Sequence, residues 1–216
     1  ELVEGLKKAM FEDPVEDTRC VLHCEMKNEG FKTASKVQYV ARVGNFIDNG
    51  ADYTGALQIL KVILSYDYLW QNIRVKGGAY GCMSGFSRTG EGYFVSYRDP
   101  NLERTMEVYE GIADYLRNFT VSDRDMNKYI IGTMSNIDQP MTPSAKGDRS
   151  FNLYMNKVSA ETIKKERLQI LEAGQEDIRK LADVVEAVMK AEQVCVIGSE
   201  EKIEEAKDMF KNVTTF

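Results

Sequence analysis

Residues 74–100 read RVKGGAYGCMSGFSRTGEGYFVSYRDP, and the way this stretch divides decides the fold. Two apolar runs, Ala79 to Phe86 and Tyr93 to Tyr97, flank the turn-rich SRTGEG, whose Gly90 and Gly92 tolerate the positive φ that a hairpin loop often requires. An antiparallel hairpin is expected. Asp99-Pro100 then reads as an N-cap followed by proline at the first helical position, opening a helix over Asn101 to Phe119. On the other side, Ala56, Leu57, Leu60, Ile63 and Leu64 recur at helical spacing between Tyr53 and Trp70, so an apolar helix leads straight into RVKGGAYG.

Working outward, KVQYVARV over Lys36 to Val43 alternates, with Val37, Tyr39, Ala41 and Val43 on one face and Lys36, Gln38 and Arg42 on the other. It reads as a half-buried strand. Ser122 with Asp125 resembles a capping box for a helix reaching about Ile137, after which QPMTPSAKG is the clearest loop. Beyond it, Ile178, Leu181, Ala182, Val185, Val188 and Met189 form an apolar helical stripe, QVCVIG is a short buried strand, and Ser199 caps a last helix. With helices and antiparallel strands both abundant, the expected fold is α/β of the α+β type. Its form is a two-layer sandwich, an antiparallel-rich mixed sheet with helices packed on one face.

The 216 residues suit one substantial core, and their composition, 43% hydrophobic and 29% charged, is that of an ordinary globular chain. A formal net charge of −6 argues against a nucleic-acid partner. No apolar run approaches the roughly 20 residues of a membrane helix, so no membrane partner is expected. Four scattered cysteines do not make a disulfide framework and point to a reducing compartment, read here as the cytoplasm. The start, ELVEGLKKAMF, has helical periodicity but no capping residue. Residues 1–18 are therefore expected to be a helical lead-in from a preceding region, and residues 19–216 a single domain.

The one histidine, His23, stands in CVLHCEM beside Cys20, Cys24 and Glu25. On a strand the two cysteines project to one face and His23 to the other, and no second ligand pair appears, so a buried strand is the expected reading and no metal site. His-x-x-Glu-His, its inverted form, the Gly-x-Ser-x-Gly elbow and the phosphate-loop spacings are all missing from the sequence. RVKGGAYG remains. Arg74 closes a helix and Tyr80 opens a strand, with Gly77 and Gly78 permitting a tight turn and a close backbone approach. A permanent cation and a neutral hydroxyl donor emerging together suit an oxyanion. The plainer alternative is a solvated helix-end arginine and a half-buried strand tyrosine.

LWQNIRVKGGAYG, with FSRTGEGYFVSYRDPNLERTMEVYEGIADYL after it and NEGFKTASKVQYVARVG before it, resembles the C-terminal half of the presequence-protease branch of the pitrilysin/insulinase metallopeptidases. In such enzymes two homologous halves close around a peptide-filled chamber. The N-terminal half carries the zinc in an inverted zincin, and an arginine and a tyrosine of the C-terminal half contact substrate near the scissile bond. The resemblance implies that Arg74 and Tyr80 are those catalytic residues; Gly77 and Gly78, which let another backbone approach closely, are expected to bind substrate beside them. It further implies peptide and the N-terminal half of the same polypeptide as partners, and a chain inactive alone because its zinc lies elsewhere. The alternative is a non-catalytic peptide-binding or scaffold subunit of the same fold.

Overall fold

The computed structural model describes Glu4 and residues 27–216. The helical lead-in expected over 1–18 and the strand expected for Cys20 to Met26, with His23 and Glu25, lie outside the described residues, Glu4 apart. Strands β1 (Glu29–Thr33) and β2 (Gln38–Asn45) come first, followed by helix α1 (Ala56–Ile63). The hairpin strands β3 (Gly81–Phe86) and β4 (Glu91–Asp99) lead into α2 (Glu103–Glu110) and α3 (Ile112–Arg117). Next are α4 (Asp123–Ile137), α5 (Pro143–Met155), α6 (Ala160–Leu171) and α7 (Gln175–Lys190). The last elements are β5 (Gln193–Ser199), α8 (Glu200–Glu205) and β6 (Asn212–Thr215).

The strands form one mixed sheet in the order β3-β4-β2-β5-β1-β6. Pairings β3–β4, β4–β2 and β2–β5 are antiparallel, whereas β1 runs parallel to both β5 and β6. Helices cover one face. The α7 stripe packs across β2 and β4 with α1 and α3 beside it, burying Ile178, Leu181, Val185 and Val188 against Val40, Phe94, Val194 and Val196. Apolar burial of this kind, at roughly 25 cal/mol per Å², is the main force holding the layers together. This is the expected two-layer sandwich.

Several local expectations are corrected. In β2 the face turned to the helices is Gln38, Val40, Arg42 and Gly44, while Tyr39 is exposed and Ala41 and Val43 half-buried. The polar side chains go inward because helix and strand ends need partners there. Arg42 donates Nη2–H to the Met189 carbonyl at the end of α7 (2.8 Å), where the helix dipole favours a cation, and Gln38 Oε1 accepts the Ser199 N–H (3.3 Å). A side chain at Gly44 would meet the Val188 carbonyl oxygen at 2.2 Å, so only glycine lets α7 sit this close. QVCVIG likewise buries one face only, leaving Cys195 and Ile197 exposed.

The hairpin forms as expected, but only Gly90 uses positive φ (+96°); Gly92 lies in β4, where a Cβ would meet Val188 at 2.4 Å. Ser122 caps α4 through the Asp125 N–H (3.2 Å), as its spacing predicts. The expected loop QPMTPSAKG is mostly helix: Thr142 caps α5 by accepting the Ala145 N–H (3.2 Å), with Pro143 as the first helical residue. The helix expected from Asn101 starts at Glu103 with Leu102 as N-cap, and Asp99 ends β4 instead of capping it.

Candidate functional site

The apolar helix does not reach Arg74 as plain α-helix. After Ile63 it is π-helical over Leu64–Tyr68 and again over Trp70–Val75, and the Lys76 N–H bonds the Gln71 carbonyl five residues back (3.0 Å). This wider turn brings residues four and five apart nearly into line. The Arg74 guanidinium accordingly lies over the Trp70 ring, 4.1 Å from its centroid.

The chain then reverses. Gly78 N–H bonds Arg74 O (2.9 Å) and Ala79 N–H bonds Ile73 O (3.1 Å), with Gly78 at φ +82°. This is the paired closure of a Schellman cap with each bond one residue longer, as π-helical widening requires. At Gly77 a Cβ would meet the Ile73 carbonyl oxygen at 2.4 Å, whereas one at Gly78 would find only Pro100, at 3.5 Å. The turn is tied to the start of α2 from outside: Asn101 donates to Gly77 O (2.6 Å) and Arg104 to Lys76 O (3.2 Å). Asp99, fully buried, holds that corner by accepting the Asn101 N–H (2.9 Å) and the Thr105 hydroxyl (2.7 Å).

Out of this turn Tyr80 emerges 59% exposed, its ring centroid 6.0 Å from the Arg74 guanidinium. The structure thus brings the two residues of the motif together. It adds neighbours that the motif does not announce. Tyr97 packs its ring 5.2 Å from that of Tyr80, and Arg98 places its guanidinium 5.9 Å from the same ring. For Trp70 the signal was its place four residues before Arg74 on one helix; Arg98 carries no such signal. Neither arginine has a carboxylate partner among the described residues.

This geometry stands in the region that matches the family described as PreP C-terminal domain, over residues 28–201. The chain belongs to that family. The PreP C-terminal domain described here is 48% identical over 187 residues to protein HypA of Clostridium perfringens, covering 87% of this chain and 19% of that protein. It is 32% identical over 188 residues to presequence protease 1, chloroplastic/mitochondrial, of Arabidopsis thaliana, covering 87% of this chain and 17% of that one. The chain therefore spans less than a fifth of the length of these relatives. In fold it is similar to pitrilysin, with a TM-score of 0.58 and 14% identity over 88% of this chain and 22% of that one. By family match and by these relatives it is a presequence-protease-like C-terminal domain, and it shares its fold with pitrilysin.

Among the described residues of this PreP C-terminal domain, no three His, Cys, Asp or Glu side chains converge as a metal site would need. They do not fit a zinc ion. Cys82, on β3 near the motif, is half-buried, and burial pushes its thiol up to about 11, the Arg74 charge opposing and Asp99 reinforcing the shift. The described helices include none long and apolar enough to cross a membrane. Concave surfaces occur elsewhere, one of them about 590 Å³ and lined by Arg88, Arg149 and Lys157 among others. Arg74 and Tyr80 instead stand on an open surface.

Proposed function

We propose that this domain binds substrate and stabilises the transition state in a zinc metalloendopeptidase that degrades unfolded peptides in a closed chamber. The observation that carries the reading is the Arg74–Tyr80 pair. A cation and a phenolic donor are brought to one exposed spot, the cation without a carboxylate partner among the described residues, by a π-helical turn and a pinned glycine reversal. Both donors are exposed and therefore free to meet a bound ligand. In the reading, zinc and its ligands belong to the N-terminal half of the same polypeptide and supply Lewis acidity and an activated water. This chain's residues bind and orient: Arg74 and the Tyr80 hydroxyl donate to the oxygen on which charge develops, and the open Gly78 leaves room for the substrate backbone beside the turn that Gly77 makes possible.

The sheet face left bare by the helices supports the same reading. Tyr39, Met83, Tyr93 and Ile197 are exposed on it, an apolar surface suited to the wall of a peptide chamber. Domain extent is proposed as 19–216 and location as cytoplasmic, where Cys82 and Cys195 would stay reduced. On its own the chain is expected to hydrolyse nothing.

In the full-length polypeptide, Tyr80→Phe and Arg74→Ala should each lower kcat about 10²–10³-fold, the usual loss for one oxyanion donor, with zinc content unchanged. A second reading, a non-catalytic peptide-binding or scaffold subunit, is favoured by the pair's exposed position. Parental turnover in both variants with weakened peptide binding would overturn the oxyanion role and leave the pair as a peptide contact, whereas a full-length polypeptide without any turnover of its own would favour the second reading.

A further inference from the structure

Arg98 occupies an unusual place in the sheet. Gln38 pairs with Asp99 and Val40 with Ser96, so Tyr39 alone on β2 faces both Tyr97 and Arg98 on β4. This is a β-bulge with one extra residue. Arg98 absorbs it with φ +49°, a left-handed conformation that costs a non-glycine residue and that glycine or asparagine would take more readily. Strict alternation from buried Ser96 and half-buried Tyr97 would send Arg98 to the helix-covered face. The bulge instead turns it out to solvent and hands the buried position to Asp99.

The redirected residue touches Tyr80 twice. Its carbonyl accepts the Tyr80 N–H (3.3 Å), and its guanidinium lies 5.9 Å from the Tyr80 ring, which Tyr97 contacts as well. No salt bridge among the described residues explains why an arginine, and not a glycine, should occupy a strained bulge. Orientation of Tyr80 does. We propose that Arg98 is a positioning residue for Tyr80: the bulge fixes the backbone that the tyrosine hangs from, and the guanidinium confines its ring beside Arg74. The inference rests on the oxyanion reading above and adds to it a residue that the motif does not contain.

Strain allows a test in which stability and activity part company. In the full-length polypeptide, Arg98→Gly keeps the left-handed backbone without cost and removes the guanidinium. The melting temperature should therefore hold or rise while kcat for a quenched fluorescent peptide falls on the order of 10- to 100-fold, the scale of a misplaced catalytic group. KM should change little. Arg98→Lys, which keeps the charge but not the planar fork, should recover part of the loss. In a Tyr80→Phe background the Arg98→Gly change should have little further effect on kcat, since the hydroxyl whose placement it serves is gone. A crystal structure of the Arg98→Gly enzyme should show the Tyr80 ring displaced or spread over several positions.

Unchanged kcat in Arg98→Gly beside a crippled Tyr80→Phe would overturn this inference and leave the oxyanion reading standing. Parental turnover in Tyr80→Phe would remove both. A Tyr80 ring in its parental position in Arg98→Gly would overturn the positioning role whatever the kinetics.

Discussion

Cys82 lies beside the motif on β3, and its thiol is raised from the ordinary value near 9 to about 11, chiefly by burial. Between those two values an unfolded chain gives up the proton that the folded chain retains. Unfolding is then favoured, so the contribution is fully present below about pH 9 and is lost as pH rises toward 11. Replacing Cys82 with alanine should make the fall of melting temperature between pH 9 and 11 shallower; an identical slope would show that the burial assigned to this thiol is wrong. Nearby residues show how far single positions can be read. The closeness of Arg74 and Tyr80 was legible because a glycine pair between a helix and a strand allows few geometries. Asp99 was misassigned: Asp-Pro before a helical run looks like a cap, but the buried carboxylate accepts from Asn101 and Thr105 and so fixes the corner that holds the glycine turn. Nothing in the local sequence separates these two uses of an aspartate.

Among elements, the turn that closes the π-helical segment makes the sharpest demand on sequence. Gly78→Val forces a β-branched residue to φ +82° and should cost about 1–2 kcal/mol of stability, seen as a lower urea midpoint at unchanged m-value, whereas Gly78→Asn should cost less. Equal midpoints for the two variants would contradict the left-handed cap. Strand alternation gave the right element in β2 but the wrong face. Its apolar residues line the bare side of the sheet, and Gln38 and Arg42 turn inward to serve the ends of β5 and α7. Periodicity reports that two faces differ, not which one meets helices. That is settled by elements 150 residues away in sequence, and Arg42 finds its acceptor at a separation of 147. The π-helical turns escaped for a related reason, since a single added residue barely disturbs an apolar period. Thr142 and Pro143, by contrast, held a cap and a first-turn proline in plain view within a stretch whose prolines and glycine read as loop.

For the molecule as a whole, the mixed sheet with helices on one side was legible from the hairpin, the capped helices and the α7 stripe, because each is decided within about 20 residues of chain. Strand order was not, since β1, β5 and β6 meet only through pairings that span the sequence. The bare apolar face, with Arg74 and Tyr80 exposed on the same domain, gives the proposed function its overall sense: one wall of a chamber whose other wall holds the metal. That claim is tested most directly with a phosphinic peptide whose tetrahedral oxygen imitates the oxyanion, measured against the parental enzyme and full-length Tyr80→Phe. If Tyr80 donates only as charge develops, the inhibition constant should rise by the same factor by which kcat/KM falls, on the order of 10²-fold, while KM for the matching substrate stays put. An inhibition constant unchanged by the loss of the hydroxyl, alongside a raised KM, would contradict the account and leave Tyr80 as a contact for bound peptide.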